Sequence, residues 1–318
     1  MGKKDIVEKE YLNEPLHFAD ACNGILFQGT QLIQPEDLEE ADVELFYPDK
    51  GPANTVRLDG IRYWKKKGIH IAVLALEYQS LTDYHMVFRS MLTESMAYYS
   101  QWKKNKRRYS KEYRRIFGKK RHLHDSKEYL SGMAKDDRFT PVILIVINLG
   151  PEKWDGATTL HEMLNLPEEL KQYVNNYKLN IFDYHDCEDF SVFKSEVRVL
   201  FEALKAAGKE VCMNTLFPRI RRIEPETAHL LETLLNIKLD KKHIITDENG
   251  KEWMDMCKAW DEHYKSGEKA GIAIGIEQTL FRLVYKKVQK GYNPERIAVD
   301  LEEDISVILP IYEEVRAL

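Results

Sequence analysis

The chain has 318 residues, 43% of them hydrophobic and 31% charged, with a formal net charge of −5. That length accommodates two domains, or one large domain with appendages, and the composition is ordinary for a globular protein. The opening "MGKKDIVEKEYL" is too charged for a secretory signal, and the longest aliphatic runs, "IAVLAL" and "VILIVI", fall far short of the ~20 residues that span a bilayer. In chain order, residues 15–28 predict a first helix with Phe18, Cys22, Ile25 and Leu26 on one stripe. "DVELFY" (42–47) reads as a short strand. "TVRLDGIRYW" (55–64) reads as a better one, with its alternation broken at Gly60 as at a bend or bulge. "KKKG" (65–68) then turns into "IHIAVLALEYQ" (69–79), the more central strand of the hairpin because it is apolar on both faces.

A long amphipathic helix is expected over 83–102, capped by Thr82 or Asp83, with Tyr84, Val87, Phe88, Met91, Leu92, Ser95, Met96 and Tyr99 on its apolar stripe. "PVILIVINLG" (141–150) predicts a fully buried strand, and "TLHEML" (159–164) opens on a T-x-x-E capping box. A further strand is expected at 177–184 and a further amphipathic helix at 189–209. From about 210 the pattern turns helical, with no clear strand. Gly267, Gly271 and Gly275 recur every fourth residue there, on either a solvated helix or a close helix–helix contact between subunits. The alternation of elements argues for an α/β sheet covered by helices.

Two features carry chemistry. Glu77 and Gln79 point to one side of their strand, and a carboxylate ending a buried strand is costly unless a cation or hydrogen-bond donor meets it. A hairpin closing near 65–68 sets position 59 against about 74 to 76, so that with a bulge Asp59 lies diagonal to Glu77, within reach of one ion. Two converging carboxylates suit Mg²⁺. The alternative pairs Asp59 with Arg57 or Arg62, and Glu77 with a lysine.

The second feature is "KKNKRRYSKEYRRIFGKKR" (103–121), where Lys103, Lys104, Lys106, Arg107, Arg108, Lys111, Arg114, Arg115, Lys119, Lys120 and Arg121 face one acid, Glu112. Tyr109, Tyr113 and Phe117 are interleaved at helical spacing. Such a one-sign run suits a phosphate backbone. "HLHD" (122–125) reads as solvated, and the acids of "DYHDCED" (183–189) read as favouring a helix N-terminus. Four widely spaced cysteines (Cys22, Cys187, Cys212, Cys257) form no CxxC pair, which suits a reducing cytoplasm, and no P-loop, GxGxxG or GxSxG motif is present.

"HFADACNGILFQGTQLIQPEDLEEADVELFY", "VRLDGIRYW…IHIAVLALEYQSLTDYHMVFRSMLTESMAY", "FTPVILIVINLGPEKWDGATTLHEML", "YKLNIFDYHDCEDF" and "GIAIGIEQ" resemble the PDDEXK nuclease-family transposases, or recombination-promoting nucleases, over roughly residues 10–280. The resemblance implies a restriction-endonuclease-like αβββαβ core with a mixed central sheet over residues 1–207, a basic helical insertion at 103–138, and a mainly helical C-terminal region over 208–318. It implies a Mg²⁺- or Mn²⁺-dependent DNA endonuclease of recombination or transposition. Asp59 and Glu77 match its metal ligands, with the backbone carbonyl of Tyr78 as a further ligand, and Gln79 matches the residue that orients the attacking water.

Arg89 matches the family's arginine, and Asp20 and Gln28 on the first helix match supporting positions. The sequence departs from the family pattern at Gly60, where a β-branched residue is usual, and at Tyr78, where asparagine is usual. Neither change removes a ligand. The expected partners are DNA and a second copy of the chain through the C-terminal helices, with no membrane. The competing reading is a catalytically degenerate DNA-binding or oligomerisation protein of the same fold.

Overall fold

A computed structural model describes residues 10–41, 60–76, 82–109, 125–207 and 210–317, together with Val7 and Leu123. Helix α1 (Pro15–Phe27) starts on a proline, with the Glu14 carboxylate accepting from the His17 amide. Strands β1 (Leu38–Glu40), β2 (Gly60–Trp64) and β3 (Ile69–Leu76) follow. Helix α2 (Met86–Arg108), the short α3 (Ser126–Ser131), β4 (Val142–Asn148), the short α4 (Leu160–Met163) and β5 (Asn180–Asp183) complete the first sheet and its cover. The strands lie in chain order. β1, β2 and β3 are antiparallel, and β3, β4 and β5 are parallel.

Gly60 pairs with Val73, the register of a hairpin that turns over Lys65–Gly68. The expected strand at 42–47 lies outside the described residues. A Cβ at Gly60 would come within 3.1 Å of the Phe18 ring of α1, a tight contact to which the ring would have to yield by a few tenths of an ångström.

β4 distributes its side chains by strand periodicity. Ile145 and Ile147 join the cluster holding Phe18, Cys22, Phe193 and Phe201, whereas Val142, Leu144 and Val146 join the cluster holding Met86, Val87 and Ala97. The sheet is therefore the middle of three layers, with α1 and α5 (Val197–Ala206) on one face and α2 on the other.

The α2 stripe differs from the expected one. Met86, Val87, Ser90, Thr93, Ala97 and Ser100 are buried, while Tyr84, Phe88, Leu92 and Tyr99 are exposed. The reason lies in β4, whose pairing with β5 begins only at Ile145. The unpaired amides of Val142 and Leu144 donate instead to the Tyr98 hydroxyl (3.1 Å) and the Glu94 carboxylate (3.2 Å), and Gln101 bonds both backbone groups of Thr140. Buried backbone groups need such partners. The sheet-facing side of α2 is accordingly built from small residues flanked by polar ones. The expected Thr82 or Asp83 cap is also different, since His85 occupies the N-cap without a side-chain bond and Asp83 accepts from its amide.

Burial holds the Glu94 carboxyl above its ordinary value, against bonds from Tyr177 and the Leu144 amide that act to lower it. The folded protein thus binds that proton more tightly than the unfolded chain. The associated stability is complete below the ordinary glutamate value and is lost as pH rises through the raised one. Glu94→Gln keeps an acceptor for Leu144 and removes the ionisation. Its melting temperature is expected to decline less than that of the wild type between about pH 4.5 and pH 8, as calorimetry at several pH values will show.

Downstream, a 3-10 turn at Phe190–Val192 precedes α5, which begins at Val197 rather than at 189. Then come α6 (Glu210–Ile220), β6 (Arg222–Ile223), α7 (Pro225–Leu235), β7 (Ile244–Thr246), β8 (Glu252–Asp255), α8 (Met256–Val288), α9 (Pro294–Leu301) and α10 (Ile305–Ala317). The region after 210 therefore carries a small antiparallel sheet, in the order β6-β8-β7, where only helix was expected. One buried cluster runs from Tyr11 to Trp260, so residues on both sides of position 207 share a core. No helix among the described residues is long and apolar enough to cross a membrane.

Candidate functional site

Parallel α/β sheets offer ligands the loops at the carboxyl ends of their strands. Here Leu76, Asn148 and Asp183 form one row across those ends, Leu76 paired with Asn148 and Asn148 with Asp183. The antiparallel β2 begins at the same end, with Gly60 opposite Val73. Asp59, Glu77, Tyr78 and Gln79 lie outside the described residues. Gly60, which follows Asp59, pairs with Val73, and Leu76, which precedes Glu77, lies three residues further along β3 at the same end of the sheet.

The rim beside that row is held by a polar network. The half-buried Asp183 carboxylate accepts from the Trp154 amide (2.6 Å), Asn148 Nδ2 (3.1 Å), the His185 amide (2.9 Å) and His185 Nδ1 (2.6 Å). Burial alone would raise its pKa, but these hydrogen bonds outweigh it and hold the group below the ordinary aspartate value. Asn148 Oδ1 accepts from the Gly150 amide, the Tyr184 hydroxyl donates to the Gly150 carbonyl, and His185 Nε2 lies 3.1 Å from the Pro151 carbonyl. The 148–154 loop is thereby fastened to the end of β5.

This is a different job from favouring a helix N-terminus. Of the acidic cluster, only Asp189 caps a helical turn, the one at Phe190–Val192. Asn148 escaped the sequence reading, although its signal was present as the single polar residue ending "VILIVIN".

Thr82 and Tyr84 lie against the residues that directly follow the 148–154 loop. The Tyr84 hydroxyl donates to Asp155 (3.1 Å), and Thr82 lies beside Gly156. Asp83 pairs with His85 and with Arg89. Arg89 is half-buried, and its Nε has no partner among the described residues. Its guanidinium therefore stands at the entry to α2, one end tied to Asp83.

The other sequence candidates fall into two groups. Asp20 is buried and fully engaged: it accepts from the Lys194 amide (2.8 Å), the Ser195 amide (2.7 Å) and the Ser195 hydroxyl (2.7 Å), so it clamps the approach to α5. Gln28 is the exposed left-handed C-cap of α1, with φ 52°. Lys103, Lys104, Lys106, Arg107 and Arg108 continue α2 to its end, where cations also favour the helix dipole. Lys103 lies over Tyr99 and Lys106 over Trp102, at 5.5 and 4.9 Å from the ring centres. Tyr109 ends the helix and donates to Asp137. Lys111, Arg114, Arg115, Lys119, Lys120 and Arg121 lie outside the described residues.

Among the described residues no group of three or more His, Cys, Asp or Glu side chains is placed to hold a metal ion. No family model, curated protein or solved structure matches the chain.

Proposed function

We propose that the chain is a metal-dependent DNA endonuclease of the PDDEXK kind, acting in DNA recombination or transposition. The observation that carries this reading is the element order. A helix, three antiparallel strands, a helix and a strand parallel to the third make an αβββαβ unit, in which the ends of β2 and β3 that adjoin Asp59 and Glu77 lie at the same end of the sheet. In this reading Asp59 and Glu77, with the Tyr78 carbonyl, hold Mg²⁺ or Mn²⁺, which when bound lowers the pKa of a water and offsets charge on the scissile phosphate. Gln79 orients the attacking water by hydrogen bonding, without adding charge. Arg89 and the basic side chains of 103–121 hold the phosphate backbone, an electrostatic contact that weakens steeply with salt.

Nicking of supercoiled plasmid tests the reading. Nicking is expected with Mg²⁺ and none with EDTA. DNA retention without cleavage, abolished by neutralising Lys103, Lys104, Lys106, Arg107 and Arg108, would instead identify a silent binder of the same fold. Neither binding nor cleavage would overturn both.

A further inference from the structure

Helix α8 is anchored at its two ends. Met256, Ala259 and Trp260 are buried in the main core, and Val284 is buried with Ile297, Ala298 and Ile308 of α9 and α10. Every residue from Tyr264 to Thr279 between them is exposed. At ~1.5 Å per residue, this 33-residue helix is ~50 Å long, and its middle is a bare rod.

That middle is costly for a monomer. Gly267, Gly271 and Gly275 each weaken a helix relative to alanine, and a Cβ added to any of them would meet nothing within 4 Å. Ile272, Ile274 and Ile276 stand 57, 53 and 60% exposed on the same turns. The C-terminal cluster is itself too small to be a self-sufficient core.

The pattern around Gly275 indicates what covers this face. Stepping seven and four residues either way along one stripe gives Glu268, Gly271, Gly275, Thr279 and Arg282. The stripe is symmetric in spacing and opposite in charge at its ends. In a second copy running the other way about a two-fold axis at Gly275, Gly275 meets Gly275, Gly271 meets Thr279, and Glu268 meets Arg282 on both sides. Small central residues permit close approach of the two backbones, and the flanking charges set direction. A parallel in-register pair would oppose Glu268 to Glu268 and Arg282 to Arg282. We propose that α8 is the contact of an antiparallel homodimer whose two-fold axis passes through Gly275.

Sedimentation equilibrium of the full chain at micromolar concentration tests this. The wild type is expected to have the mass of two chains. Gly275→Leu adds helix propensity and meets open space in the monomer, so it is expected to keep its circular dichroism while becoming monomeric. Glu268→Arg and Arg282→Glu are each expected to weaken association about tenfold, and the double exchange Glu268→Arg with Arg282→Glu is expected to restore it. A monomeric wild type, or an oligomer indifferent to Gly275→Leu, would overturn the proposal. Single charge reversals that weaken association without recovery in the double exchange would overturn the antiparallel register.

Discussion

Nicking by Asp59→Ala and by Glu77→Ala is expected to fall at least ~10²-fold below the wild type, while retention of DNA on a gel stays unchanged. The two carboxylates are assigned to one ion, so either loss removes a ligand and leaves the basic side chains intact. A thermal-melt readout separates this from unfolding. In this assignment the two carboxylates repel when no metal is bound, so removing one is expected to leave the melting temperature unchanged or higher. With metal, the wild type is expected to gain stability in proportion to ligand occupancy, and the variants are expected to lose that gain. Mg²⁺-dependent cleavage persisting at the wild-type rate in both variants would reject the assignment of these residues.

Asp20→Ala is expected to destabilise the fold by roughly 2–4 kcal/mol, because the Lys194 and Ser195 amides and the Ser195 hydroxyl lose a charged acceptor. Asp20→Asn is expected to cost less, since its amide oxygen in the Oδ2 position still accepts from all three donors and only the charge and the second Lys194 contact are lost. Denaturant titration will measure both. Cleavage assayed well below the melting temperature is expected to stay within a few-fold of the wild type, because the Asp20 carboxylate is spent on the approach to α5. A large rate loss at unchanged stability would instead make Asp20 part of the reaction centre.

The sheet was legible where one physical signal dominated. β4 declared itself by an unbroken apolar run, the β2–β3 hairpin by its turn, and α4 by Thr159 and Glu162, which form the capping box. The second sheet was not legible, because strands of two to four residues such as Arg222–Ile223 and Glu252–Asp255 are too short to show alternation. The α2 stripe misled because periodicity ranks hydrophobicity, whereas this face answers to unpaired amides on β4 that only tertiary context reveals. Of the candidate site, the sequence showed the carboxylates and the basic run. It did not show the clasp around Asp183, whose partners Asn148, at the end of β4, and Trp154, in the loop after it, lie about 30 residues away in sequence.

The contact between Gly60 and Phe18 makes the two positions a volume-exchange pair. The ring from α1 lies 3.1 Å from the position of the first carbon of any side chain placed at Gly60. A Gly60→Val substitution alone is expected to be destabilising by overpacking, roughly 1–3 kcal/mol, and Phe18→Ala in the same chain is expected to recover part of that loss in a denaturant titration. The seating of α1 thus acts as a spacer gauge for the start of β2. Any redesign of that strand end, next to which Asp59 is joined, has to begin with the helix on the opposite layer.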